Sequence, residues 1–120
     1  MYLTRKFKFD AAHELPHYKG KCSNLHGHTW HLEIEVEGLP NVTTGMIMDF
    51  STLKKIVDTL IIDQLDHYFI NDIIKNPTAE MMVYWIVDQL NELAEFSNTK
   101  LSRVRLYETE DSYAEWRKVW

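Results

Sequence analysis

A chain of 120 residues, 45% apolar and 26% charged, has the make-up of one folded domain, residues 1–120, with its own core. A net charge of −5 argues against a nucleic-acid partner, and no apolar run approaches the roughly 18 residues that cross a bilayer, so no membrane partner is expected either. The single cysteine, Cys22, excludes an intrachain disulfide, and the first ten residues hold no signal-like apolar stretch, so the expected location is cytoplasmic.

Residues 4–13 alternate. Phe7, Phe9, Ala11 and His13 share one parity and Lys6, Lys8 and Asp10 the other, which predicts a strand with one buried face. Glu14–Leu25 reads as a loop carrying Pro16, Lys19, Gly20, Lys21 and Cys22. Residues 29–37 alternate again, with Trp30, Leu32, Ile34 and Val36 opposite His31, Glu33, Glu35 and Glu37. His26 and His28 extend the apolar row backwards, and Gly27 between them leaves room for a ligand. A second loop, Gly38–Gly45, leads to a short extended run, Met46–Phe50, that delivers Asp49.

Leu53, Ile56, Val57, Leu60, Ile61 and Leu65 form one apolar stripe and predict a helix over 51–65, capped by Asp49 or Ser51. The segment Asp66–Asp72 ends it. A second helix opens at Asn76-Pro77-Thr78, with Thr78 as N-cap, Glu80 in the first turn, and a stripe of Met82, Trp85, Ile86, Leu90 and Leu93. After a turn at Phe96–Thr99, Leu101–Glu108 and Ser112–Trp120 read as a closing hairpin around Thr109–Asp111. The order ββααββ predicts an α+β fold, a four-stranded antiparallel sheet with two helices on one face. Lys6, Lys8, Glu33, Glu35, Arg103 and Arg105 fall on the other face. They are expected either as cross-strand ion pairs on a solvated surface or as the lining of a channel built from several copies.

If the first two strands pair antiparallel, His13 at the end of one meets His26 and His28 at the start of the next. Three imidazoles with an open fourth position make a catalytic zinc arrangement, and zinc is the expected ion. Cys22 is open to three readings: a proton-abstracting thiolate, a nucleophile, or a fourth ligand that would close the site and make it structural. In Asp66-His67 a carboxylate can orient an imidazole as a proton donor, although a helix end alone would account for the pair. Glu108 ends the row Val104-Leu106-Glu108 and points to the buried face, where a carboxylate needs a partner.

The ordered set Phe9-Asp10-Ala11-Ala12-His13, Cys22-x-x-x-His26-Gly27-His28, Gly45-x-x-x-Asp49-Phe50, Leu65-Asp66-His67-x-x-x-Asn71-Asp72, Asn76-Pro77-Thr78-x-Glu80 and Glu108-Thr109 resembles the 6-pyruvoyl-tetrahydropterin synthase family. The three-residue gap between Cys22 and His26 resembles the bacterial branch that makes 6-carboxy-5,6,7,8-tetrahydropterin for queuosine. The resemblance implies the tunnelling fold, with sheets joining into a barrel in a hexamer, a dimer of trimers. It implies a lyase acting on a small pterin triphosphate, 7,8-dihydroneopterin triphosphate, with release of acetaldehyde and triphosphate. The alternatives are triphosphate elimination to the 6-pyruvoyl product, and a non-catalytic zinc-stabilised oligomer. It also implies that His13, His26 and His28 hold zinc, that Cys22 is the base, and that His67 with Asp66 is the second acid/base. Glu108, with Thr78 and Glu80, would contact substrate. The triphosphate would need cations; Lys19, Lys21 and Arg5 lie nearby, and the sequence does not assign that role among them.

Overall fold

Alternation produces the strands, and register decides what they bring together. In the computed structural model, which describes residues 1–91 and 99–119, strand β1 (Tyr2–His13) pairs antiparallel with β2 (His26–Glu37), so that His13 lies opposite His26, Ala11 opposite His28 and Phe9 opposite Trp30. The histidine pair is therefore inside the second strand rather than ahead of it. β3 (Lys100–Thr109) and β4 (Ser112–Arg117) complete one sheet in the order β1-β2-β3-β4. The stretch before Asp49 forms no strand among the described residues.

The first helix starts at α1 (Phe50–Val57), runs through a π turn at Asp58–Ile62, and ends at Asp63–Leu65. Asp49, not Ser51, caps it by accepting from the Ser51 amide at 2.7 Å. The π turn has a sequence cause. Leu53, Val57, Ile61 and Leu65, all fully buried, recur every fourth residue. On a 3.6-residue helix such a row drifts by about 40° per step. One wide turn unwinds the helix locally and keeps Leu65 on the core. α2 (Ala79–Gln89) begins where Thr78 Oγ1 accepts from the Met81 amide at 3.1 Å. Its buried row is Met82, Ile86 and Leu90, with Trp85 half-buried. Leu93, residues 96–98 of the expected turn, and Trp120 lie outside the described residues.

The helices share one core with Phe9, Trp30, Leu32, Ile34, Val104 and Leu106 of the sheet. Each such side chain stabilises the fold by on the order of 1.5–3 kcal/mol. On the sheet's other face the expected cross-strand ion pairs form between the arginines and the glutamates. Arg103 reaches Glu35 (3.1 Å), Glu33 and Glu115 (3.3 Å each), and Arg105 reaches Glu115 at 2.6 Å. Glu115 of β4 joins this network as a further carboxylate, and Lys6 and Lys8, expected in it, take no part. Both lysines are exposed, and neither forms an ion pair among the described residues.

Candidate functional site

His13 ends the buried row of β1 and is wholly enclosed. Its Nδ1 lies 2.8 Å from the Pro77 carbonyl, and His26 Nδ1 lies 2.6 Å from the Asn24 carbonyl. A carbonyl only accepts, so both Nδ1 atoms carry their protons and both Nε2 atoms present lone pairs. Those two Nε2 atoms face each other at 3.0 Å. His28 Nε2 is buried and has no hydrogen-bond partner among the described residues. Trp30 forms the floor of the cluster, with its ring 5.0 Å from His13 and 5.2 Å from His28, pinned by its indole N–H to the Ala11 carbonyl.

Convergent imidazole nitrogens, two of them on rings whose outer nitrogens are anchored on carbonyls, suit a divalent transition metal. Facing lone pairs and an orphaned nitrogen are costly without a cation. The residues present therefore fit a zinc-type ion. Burial pushes His13 and His28 below the ordinary imidazole value, against the raising effects of the Pro77 carbonyl on His13 and of Glu108 on His28. The neutral, ligating form is favoured.

The fourth member of this cluster is Glu108, not Cys22. One ligand atom from each of His13, His26, His28 and Glu108 lies within 4.8 Å of the others. Cys22 is half-buried in a short 3₁₀ turn, Lys21–Ser23, inside a loop closed by the Leu15 amide on the Cys22 carbonyl. Gly20, at φ 149°, opens that turn in a region favouring glycine. By contrast, a Cβ at Gly27 would meet only the Ala11 carbonyl, at 3.8 Å. Glycine at 27 is thus not forced by packing, and it borders an open cleft.

That cleft, about 550 Å³, is lined by Asp10 to Ala12, Gly27 to Thr29 and His67 to Phe69. It holds His67 of the Asp66–His67 pair, which the sequence alone leaves at the end of a helix, beside Asp10 and Thr29 at the end of β1 and the start of β2; of the histidine cluster it touches His28 alone. Asp66 Oδ2 lies 3.0 Å from His67 Nδ1, and Asp66 Oδ1 accepts from the Asp10 amide at 2.9 Å. The Asp10 amide, aided by His67, holds the Asp66 carboxyl below its ordinary value against a smaller effect of burial. His67 takes a left-handed backbone, φ 64°, held by its own amide on the Asp10 carbonyl. For a non-glycine residue that conformation costs roughly 1–2 kcal/mol. The Ala12 amide bonds to the Tyr68 carbonyl, so this segment runs beside the end of β1.

Other candidates lie elsewhere. Thr78 spends its hydroxyl on the α2 cap, and Glu80 is exposed in the first turn. Their motif reaches the site through Pro77, whose carbonyl orients His13. Lys19 and Lys21 are exposed in the Cys22 loop, while Arg5 donates to the Phe50 carbonyl at 3.0 Å. His17 and His31 are exposed and outside the cluster. Asn71 was missed as a support: its amide bonds both the N–H and the carbonyl of Glu14, at 3.0 and 2.8 Å, and so fixes the chain just after His13.

Residues 2–119 match the family described as 6-pyruvoyl tetrahydropterin synthase. The chain belongs to that family. A relative in Synechocystis sp., named 6-carboxy-5,6,7,8-tetrahydropterin synthase, is 43% identical over 75% of this chain and 74% of its own length. A protein of the same name in Haemophilus influenzae is 34% identical over 97% of this chain and 98% of its own. The solved 6-pyruvoyl tetrahydropterin synthase of Caenorhabditis elegans superposes with a TM-score of 0.84 at 25% identity, over 98% of this chain and 95% of that one. The four-stranded antiparallel sheet with two helices is the tunnelling fold of this family.

Proposed function

We propose that this member of the family is a zinc-dependent 6-carboxytetrahydropterin synthase. It converts 7,8-dihydroneopterin triphosphate and water to 6-carboxy-5,6,7,8-tetrahydropterin, acetaldehyde and triphosphate, a step serving queuosine synthesis. The observation that carries this is the convergence of three imidazole nitrogens and the Glu108 carboxylate on one point, in a chain that also carries the Asp66–His67 carboxylate–imidazole pair. The short spacing Cys22-x-x-x-His26 and the names of the two relatives favour the carboxy branch.

His13, His26 and His28 would hold the ion, which supplies Lewis-acid activation of the substrate's side-chain hydroxyls. Cys22, as thiolate, takes a proton from the side chain. His67 works as the second acid/base: Asp66 engages Nδ1, which leaves Nε2 to exchange a proton with the ligand. Glu108 is the carboxylate for the N–H donors of the pterin's aminopyrimidine edge, and Thr78 and Glu80 serve the site indirectly, by starting the helix that follows Pro77, whose carbonyl orients His13. The working form is a hexamer, a dimer of trimers, in which the charged sheet face lines the channel. Incubation with dihydroneopterin triphosphate tests the reading by mass spectrometry. Acetaldehyde with a carboxypterin supports it. A pyruvoyl product moves the chain to the sister branch, and bound zinc without turnover leaves a structural site.

A further inference from the structure

Glu108 sits at an irregularity of the sheet. Tyr107 pairs with Tyr113 and Thr109 with Ser112, so Glu108 is the extra residue of a bulge between β3 and β4. Both neighbours are fixed in the ladder, and the bulge aims this one side chain at the histidines. Its Oε1 lies 3.1 Å from His28 Nε2 and 3.8 Å from His13 Nε2. The contact with His28 does not have the alignment of a hydrogen bond, since that nitrogen has no partner among the described residues. A carboxylate oxygen thus completes a ring of atoms that all offer electron pairs to one point. Glu108 is also 27% exposed, so a ligand entering from solvent can reach it.

We propose that Glu108 is an exchangeable fourth ligand of the metal. In the substrate-free enzyme its carboxylate coordinates the ion and gives a closed set of three imidazoles and one carboxylate. When a pterin ring enters, its aminopyrimidine N–H donors draw the carboxylate away, and the fourth position opens only with the ring in place. The inference rests on the functional reading above and extends it, since one side chain couples recognition of the ring to availability of the ion. The driving force is local. A carboxylate gains two charge-assisted hydrogen bonds from the ring edge, and these offset the lost metal–oxygen contact. The bulge lets the side chain swing while the backbone ladder stays fixed.

The test uses the full chain loaded with cobalt(II), whose visible spectrum reports its ligand set, and zinc affinity measured by chelator competition. In the absence of pterin, Glu108→Gln changes the cobalt spectrum and weakens zinc binding by at least about 10-fold. Saturating 6-methylpterin has the ring edge but no side-chain hydroxyl. It moves the wild-type spectrum toward that of Glu108→Gln and leaves the variant's spectrum unchanged. Identical spectra and affinities for wild type and Glu108→Gln overturn the proposal. So does a wild-type spectrum that stays still under 6-methylpterin while the pterin's quenched fluorescence reports binding. That second arm needs no variant. A wild-type chain that binds no metal overturns the zinc reading itself along with this inference, and so separates the two failures.

Discussion

Two ionisable clusters sit on opposite faces of one sheet, and they are satisfied in opposite ways. On the outer face Arg103 and Arg105 engage Glu33, Glu35 and Glu115, and Arg117 adds a contact to Glu115 at 2.5 Å. Each of these six side chains has an opposite charge beside it among the described residues. At the histidine corner, two ring nitrogens and a carboxylate oxygen crowd a third nitrogen, and no donor is shared among them. The first cluster is complete as it stands and serves the fold. The second is incomplete as protein alone, and that deficit points to a ligand ion. Charge density does not distinguish a site from a scaffold, whereas unsatisfied geometry does.

The largest effect should come from removing one member of the incomplete cluster. His28→Ala is expected to lose bound metal and essentially all turnover, a drop on the order of 10³-fold or more; metal analysis showing full occupancy would mean that the ligand set is wrong. Cys22→Ala should keep its metal and lose about 10²–10⁴-fold in kcat, because Cys22 lies outside the coordination cluster. Loss of zinc from that variant would put the thiol among the ligands. Asp66→Asn should keep metal and lower kcat about 10–100-fold with KM little changed. An undiminished kcat would make Asp66 a mere support for the Asp10 backbone.

The complete cluster should respond in stability alone. Arg103→Ala leaves three carboxylates short of a partner and should cost about 1–2 kcal/mol, a Tm drop of roughly 4–10 °C, with kcat per folded chain preserved. A loss of activity without a loss of stability would turn this face into part of the site. The pH dependence is the smallest effect. Burial raises the Glu115 carboxyl, but hydrogen bonds from Arg105, Arg117 and Arg103 outweigh burial and hold it below its ordinary 4.5. The unfolded chain therefore binds the proton more readily than the folded one. This contribution to stability is complete above about 4.5 and is lost as pH falls through the lowered value. Thermal melts from pH 6 to 3 should show the decline, and it should be shallower in Glu115→Gln.

Local periodicity made the strands, the face shared by the histidines and the capped helix starts legible in the sequence. The antiparallel pairing it implied places His13 opposite His26. What it could not show depends on contacts distant in the chain. The bulge at Glu108 comes from a register slip against β4. Of the six residues expected on the outer face, Glu33, Glu35, Arg103 and Arg105 do pair, while Lys6 and Lys8 do not; nothing local marks Glu115 as a further carboxylate for the arginines. The segment around His67 became a helix end in the sequence reading, since its pairing with Ala12 and its left-handed backbone arise only when it lies beside β1. The π turn did leave a trace, the four-residue spacing from Leu53 to Leu65, but a stripe judged at 3.6 residues absorbed it.

The account stands most directly on which atoms surround the ion. X-ray absorption spectroscopy on the zinc-loaded, substrate-free protein reads them. The account predicts a shell of nitrogen and oxygen only, near 2.0–2.1 Å, with the multiple-scattering pattern of three imidazoles. A sulfur at about 2.3 Å, or fewer than three imidazoles, would contradict it.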